Sequence, residues 1–339
     1  MRSSVALGVF LALASGACNG LFTTPMKLIP RWKWENIWLV FILIACVAMP
    51  AAMVASGVDA VLVLTASPPN AIACAAGFGL AWGFGAIFFG LSVHHLGVSL
   101  ANSLVIGLSS ALGSAVPLLL SGNLRFDLSQ IVLFIGVATF LAGVWFCGQA
   151  GRLRESSASV SSRSGGSLFS AYALCIGAGI LSAVFNIGYS LALPIAAAGE
   201  RLGYSSFDST NLIWLLMLGG GAIPNIAYCS MLLRRNGSAA LFSGPQPGKA
   251  WGLSLLMGLL WGASIFLYGA ATPMLGDIGP SIGWPLSLAV GLVVANVMGL
   301  WLGEWRGADP RALRLMRSGI LTLLAAIVLC AVSSSFGKA

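Results

Sequence analysis

The stretch from Gly79 to Gly97 reads GLAWGFGAIFFGLSVHHLG, and the stretch from Gly258 to Gly276 reads GLLWGASIFLYGAATPMLG. They align without a gap at an offset of 179 residues, about half of the 339-residue chain. Gly79, Leu80, Trp82, Gly83, Gly90, Leu96 and Gly97 recur as Gly258, Leu259, Trp261, Gly262, Gly269, Leu275 and Gly276. Each copy is apolar along nearly its whole length, so one bilayer-crossing segment corresponds to another half a chain away.

Outward from this pair, the composition leaves no room for a water-soluble domain. The chain is 58% hydrophobic and 8% charged, with a mean hydropathy of +0.95, whereas soluble domains carry about 25% charged residues. A helix needs roughly 20 apolar residues to cross the hydrocarbon core. Runs of that length recur ten times: Val5 to Met26, Asn36 to Ala55, Ala71 to His94, Ser99 to Ser121, Gln130 to Ala150, Leu168 to Pro194, Asn211 to Leu233, Ala250 to Ala271, Ser281 to Gly303 and Ala312 to Ser333. The fold class is therefore an all-α integral membrane protein of ten transmembrane helices. Because the repeat equates span three with span eight, the reading is two five-helix halves. An odd number of spans per half forces the second to insert inverted, an architecture found in secondary transporters.

The halves divide as residues 1–150 and 168–339, joined by a Ser/Gly-rich cytoplasmic linker at 151–167. A weaker echo relates span one to span six, Ser15 and Asn19 matching Ser182 and Asn186 in spacing. The net charge of +8 does not point to nucleic acid, because the basic residues are scattered through the loops. Of 17 Lys and Arg residues, only Arg2, Arg125, Arg201 and Lys338 fall on the side of the termini and even-numbered loops. The positive-inside rule then makes the odd loops cytoplasmic and both termini periplasmic. The N-terminal segment is expected to be an uncleaved first helix, since its basic region holds only Arg2 and its apolar character continues to Met26. All seven cysteines fall inside apolar spans without metal-ligand spacing, so neither a disulfide nor a metal is expected. The glycine pairs Gly16/Gly20, Gly79/Gly83 and Gly258/Gly262 put two small residues on one helix face and let backbones approach closely. The run Gly219-Gly220-Gly221 followed by Pro224 predicts a weakened helix lining a cavity.

All nine acids lie in loops or at span ends, so no mid-membrane carboxylate presents itself as a proton carrier. The titratable or charged candidates for proton coupling or gating are His94 and His95, Lys27 and Glu304. Lys27 also reads as a side chain snorkelling to headgroups, and Glu304 as an exposed partner of Arg306. Polar residues deeper in the spans are Asn19, Asn186, Tyr189, Asn225, Tyr228 and Asn296. An unpaired amide is costly in hydrocarbon, so these face the bundle interior or a wet cavity, or serve as interhelical glue. Trp82 and Trp261 sit mid-span at equivalent repeat positions, where flat rings suit the C–H faces of a sugar; Trp284 and Tyr268 are weighed the same way, and core packing is the alternative for all four. Enzyme signatures such as His-Glu-x-x-His, Gly-x-Ser-x-Gly or a phosphate loop are missing from the sequence.

These motifs resemble the bacterial L-rhamnose/proton symporters of the drug/metabolite transporter superfamily over nearly the whole chain. The resemblance is carried by Pro25-Met26-Lys27 with Arg31-Trp32-Lys33-Trp34-Glu35, by Trp82-Gly83 with Gly90 and Leu96-Gly97, and by Gly179 to Ala183. Gly219 to Ile223 with Asn225, Gly258 to Gly262, Trp284 and Glu304-Trp305 complete it. It implies proton-coupled uptake of L-rhamnose or a related 6-deoxyhexose across the bacterial inner membrane by alternating access, with no cofactor, nucleotide or metal and no enzymatic activity. Asn19, Trp82, Asn186, Tyr189, Asn225, Trp261, Tyr268 and Trp284 are then the candidate sugar-binding residues. One departure stands out: family members are more polar, with Asn and Tyr, at the positions of Ala86 and Phe89, which bears on the exact sugar. The partners expected are the sugar, protons and the bilayer. An exporter or exchanger of another small metabolite on the same scaffold stays open, as does, from a different class, a non-transporting sugar sensor or a membrane enzyme.

Overall fold

The computed structural model describes residues 2–96, 98–122, 124–158, 168–244 and 247–336; side chains at 2–3, 93–100, 155–158 and 168 lie outside the described residues, His94 and His95 among them. In chain order the helices are α1 (Arg2–Leu21), α2 (Trp34–Ile42), α3 (Met49–Gly57), a short α4 (Ala60–Ala66) and α5 (Pro69–Leu96). There follow α6 (Val98–Leu120), α7 (Leu128–Ala158), α8 (Leu168–Arg201), α9 (Ser206–Asn236), α10 (Pro247–Ala271), α11 (Gly279–Trp301) and α12 (Pro310–Phe336). Among the described residues, ten helical segments are long and apolar enough to cross a membrane, α2 and α3 counting as one. Helices are the form that closes every backbone hydrogen bond within the segment, as hydrocarbon requires.

The second span is continuous but irregular. Between α2 and α3, Leu43–Ala48 winds as a π-helix, with the Met49 N–H bonding the Ile44 carbonyl five residues back. Pro50 follows at once, and a proline cannot donate to the preceding turn, so the extra residue is accommodated at the point where the α-helical ladder is already broken.

Packing is reciprocal between the two halves. The helices α5 and α6 lie against α8, and α5 also against α9; correspondingly, α10 and α11 lie against α1, and α10 also against α2, so each of these contacts joins a helix before residue 159 to one after residue 167. Two further pairs, α6 with α11 and α7 with α12, cross between the halves. Small residues allow the tightest approaches. A Cβ at Gly83 would stand 2.5 Å from the Gly221 carbonyl on α9, and one at Gly262 2.5 Å from Met49 Sδ.

Two expectations about elements change. The run Gly219-Gly220-Gly221 does not break its helix: α9 is continuous from Ser206 to Asn236 with Pro224 inside it. Its glycines are a seat for α5, Gly221 lying under the Trp82 ring and Gly220 against the Ala76 carbonyl. The residues 151–158, read as the start of the linker, prolong α7 by two turns, and 159–167 lie outside the described residues.

Candidate functional site

A cavity of about 230 Å³ opens among α1, α2, α5, α6, α8, α10 and α11. Besides the side chains from α1, α5, α6, α8, α10 and α11, α2 contributes Trp38 and Phe41. It is smaller than the roughly 300–1,000 Å³ that drug-sized ligands occupy, which suits a single sugar ring. Among the described residues no charged side chain lines it.

Its middle is aromatic. Trp82 and Trp261, the two repeat-equivalent residues, stack with ring centroids 5.3 Å apart at 12°. Phe41 meets Trp261 edge-on at 5.6 Å, and Phe185 leans on Trp82 at 5.0 Å. All four rings line the cavity. Trp284 also lines the cavity, its indole N–H donating to the Ser109 carbonyl at 3.1 Å.

On one side a hydroxyl cluster forms. Ser15 Oγ donates to the Ser264 carbonyl at 2.8 Å and lies 2.9 Å from Ser287 Oγ, while Ser264 Oγ donates to the Trp261 carbonyl at 2.7 Å. A hydroxyl holds one proton and two lone pairs. With the Ser15 proton spent on a carbonyl, Ser287 is the donor of that pair, and the cluster presents lone pairs to a ligand's hydroxyls. Asn19, Asn102 and Ser182 also line the cavity and, among the described residues, make no hydrogen bond within the chain. They supply the unsatisfied donors and acceptors of the site.

Of the eight candidate sugar-binding residues, the structure gathers Asn19, Trp82, Trp261, Tyr268 and Trp284 at this cavity. Asn186, Tyr189 and Asn225 stand behind its lining with their polar atoms engaged. Asn186 Nδ2 donates to the Gly113 and Pro280 carbonyls at 2.8 and 3.0 Å, and its Oδ1 accepts from the Tyr268 hydroxyl. The Tyr189 hydroxyl shares a 2.5 Å bond with Thr272, and its ring stacks on Trp214 at 4.5 Å. Asn225 Nδ2 donates to the Gly83 and Gly221 carbonyls, and its Oδ1 accepts from the Trp38 indole at 3.0 Å. The asparagines bridge three or four segments each, which is the glue role that interhelical amides take. Sequence reasoning passed over Asn102, Ser264, Ser287, Trp38 and Phe185. Small hydroxyls are common in spans, and Asn102 lies near the start of its span, away from the mid-membrane polar residues singled out above.

One end of the bundle is tied by ions. Glu304, just past α11, pairs with Lys27 beyond α1, and Arg154 on α7 reaches its other oxygen at 3.2 Å while its guanidinium lies 4.9 Å over the Trp305 ring. Glu304 thus bonds two distant cations instead of the adjacent Arg306. Partial burial works to raise its pKa, but the hydrogen bonds and charges of Lys27 and Arg154 together outweigh this and hold the carboxyl below its usual range. At the same end Glu35, 4% exposed, accepts from Asn236 Nδ2 at 2.8 Å and Ser238 Oγ at 2.6 Å, binding the start of α2 to the end of α9.

The model of the L-rhamnose-proton symport protein family matches residues 1–335. The chain belongs to that family. It is therefore a multi-pass membrane protein of a transporter family. Curated L-rhamnose-proton symporters of Escherichia coli O1:K1 / APEC and of Shigella boydii serotype 18 are each 26% identical to this family member, covering 96% of this chain and 97% of theirs. A crystal structure of a protein matches it with a TM-score of 0.55 at 15% identity, over 99% of this chain and 97% of that one, a likeness of fold alone.

Proposed function

We propose that the chain takes up L-rhamnose or a related 6-deoxyhexose together with protons across the bacterial inner membrane. The observation that carries the reading is the cavity itself: without a charged side chain among the described residues, of monosaccharide size, and lined by stacked indoles with hydroxyl and amide groups. Neutral polyols are held by such a combination, whereas an anionic or cationic metabolite would leave its charge unpaired in a low-dielectric site. Family membership and relatives named as L-rhamnose-proton symporters agree with it.

Transport would proceed by alternating access between two inverted halves, residues 1–150 and 168–339, joined through 151–167. The ungapped repeat and the reciprocal packing support this, since exchanging the halves turns the α5–α9 contact into α10–α2 and the α6–α8 contact into α11–α1. Asn19, Trp82, Trp261, Tyr268 and Trp284 would contact sugar, with Asn186, Tyr189 and Asn225 holding the walls that carry them. Lys27 and Glu304 would form a gate at the cytoplasmic end, with both termini periplasmic. A reporter active only in the periplasm, fused to the C-terminus, should give signal; silence from a well-expressed fusion would reverse the orientation.

The test is uptake of radiolabelled L-rhamnose into cells expressing the chain, with and without a protonophore. Uptake abolished by the protonophore is the expected result. No uptake from correctly inserted protein would remove the sugar reading and favour another small metabolite on this scaffold.

A further inference from the structure

The two repeats meet the cavity with different chemistry. Carrying the 179-residue offset along α5 and α10, Gly85 stands where Ser264 stands, and Phe89 where Tyr268 stands; all four line the cavity. The wall of α1, α10 and α11 holds the Ser15, Ser264 and Ser287 cluster with Asn19. The wall of α5, α6 and α8 holds Phe89, packed against the buried cluster to which Val105 and Ala178 belong, and all three line the cavity. Its polar groups, Asn102 and Ser182, each lie one helical turn along from that patch, Asn102 before Val105 and Ser182 after Ala178. The two walls therefore differ: one carries the serine cluster with Asn19, the other an apolar patch flanked by Asn102 and Ser182.

We propose that this asymmetry fixes the sugar's orientation, its hydroxyl edge on the Ser15–Ser264–Ser287 side and its C6 methyl against Phe89, Val105 and Ala178, and that Phe89 is the residue selecting a deoxy carbon there. The inference rests on the sugar-uptake reading and adds to it the direction in which the sugar sits. The physical basis is the difference between the two ends of a 6-deoxyhexose. A methyl group gains by leaving water for an apolar patch. A hydroxyl at the same carbon would lose its water partners and find no acceptor on a phenyl ring, a valine or an alanine. Asn102 and Ser182, a turn away, remain for ring hydroxyls flanking the methyl.

The experiment is competition against radiolabelled L-rhamnose by L-mannose, which adds a hydroxyl at C6, and by L-lyxose, which lacks that carbon altogether. In the unaltered protein L-mannose should compete at least about tenfold more weakly than L-rhamnose, and L-lyxose several-fold more weakly, the scale by which an apolar pocket distinguishes such analogues. Phe89→Tyr and, independently, the near-isosteric Val105→Thr should narrow the L-mannose gap to about threefold or less by giving the added hydroxyl a partner. L-Mannose competing as well as L-rhamnose against the unaltered protein overturns the orientation. So does a gap unchanged in Val105→Thr, the variant that decides if Phe89→Tyr does not insert. Absent L-rhamnose uptake would remove the sugar reading itself, whereas uptake without the L-mannose gap removes only this inference.

Discussion

A tryptophan or an asparagine in the middle of a membrane carries a polar group that must be matched, and the match distinguishes scaffold from site. Asn225 is matched completely, by two backbone carbonyls and the Trp38 indole. Asn225→Ala would leave the Trp38 N–H without its acceptor, and should cost about 1–3 kcal/mol of stability. The check is thermal unfolding in detergent, with the relative competition by different sugars unchanged; a variant as stable as the parent would show that water satisfies this group. Trp261 is the opposite case, a ring whose partners are other rings lining the cavity. The sequence revealed Trp82 and Trp261 because a repeat preserved them at unusual depth. It could not divide Asn19 from Asn186, which share a spacing pattern, because whether an amide finds a carbonyl depends on helices far away in sequence, here Gly113 on α6 and Pro280 on α11.

At the scale of elements, hydropathy located the spans well because lipid imposes one requirement on each segment, enough apolar length with its hydrogen bonds closed internally. What hydropathy could not reveal was where a helix would bend or continue. Gly219 to Gly221 with Pro224 looked like a break, yet those glycines are occupied by α5, and packing against a neighbour supplies what the weakened ladder lacks. The π-helical turn at Leu43–Ala48 left no equivalent mark beyond Pro50. The close approach of α5 to α9 gives an element-scale prediction. Gly83→Ala would place a Cβ 2.5 Å from the Gly221 carbonyl and about as close to Pro224 Cγ. Backbone cannot yield as a side-chain tip can, so folded protein recovered from membranes should fall severalfold, whereas Gly90→Ala, which meets nothing within 4 Å, should be recovered like the parent. Equal recovery of both variants would mean that α5 and α9 can separate freely.

For the whole molecule, Glu304 joins helices that are distant in the chain. Lys27 follows the first span, Arg154 ends the fifth, and Glu304 follows the ninth. A carboxylate whose folded pKa is depressed contributes stability that is present above its unfolded pKa and lost as pH falls through the lower folded value. The tie should therefore hold throughout neutral pH and release only in acid below the unperturbed glutamate value of about 4.3. Thermal stability compared between the parent and Glu304→Gln should differ by a constant amount from neutral down to about pH 5, then converge as the parent carboxylate protonates. A difference that vanishes already near pH 7 would contradict the depressed pKa. The charge exchange Lys27→Glu with Glu304→Lys should recover part of the transport lost in either single variant, since the attraction is reciprocal, although Arg154 would then face a cation.

An uncharged cavity also has an electrical consequence. Because the lining supplies no fixed charge among the described residues and a deoxyhexose brings none, each proton that accompanies the sugar inward would move as net current. A membrane potential of 100 mV acting on one such charge is worth about 2.3 kcal/mol, which corresponds to concentrating the sugar on the order of fiftyfold before any pH gradient is added. A cell holding its voltage while its pH gradient is collapsed would then still accumulate sugar, and the polarity of the voltage would decide the direction of flow.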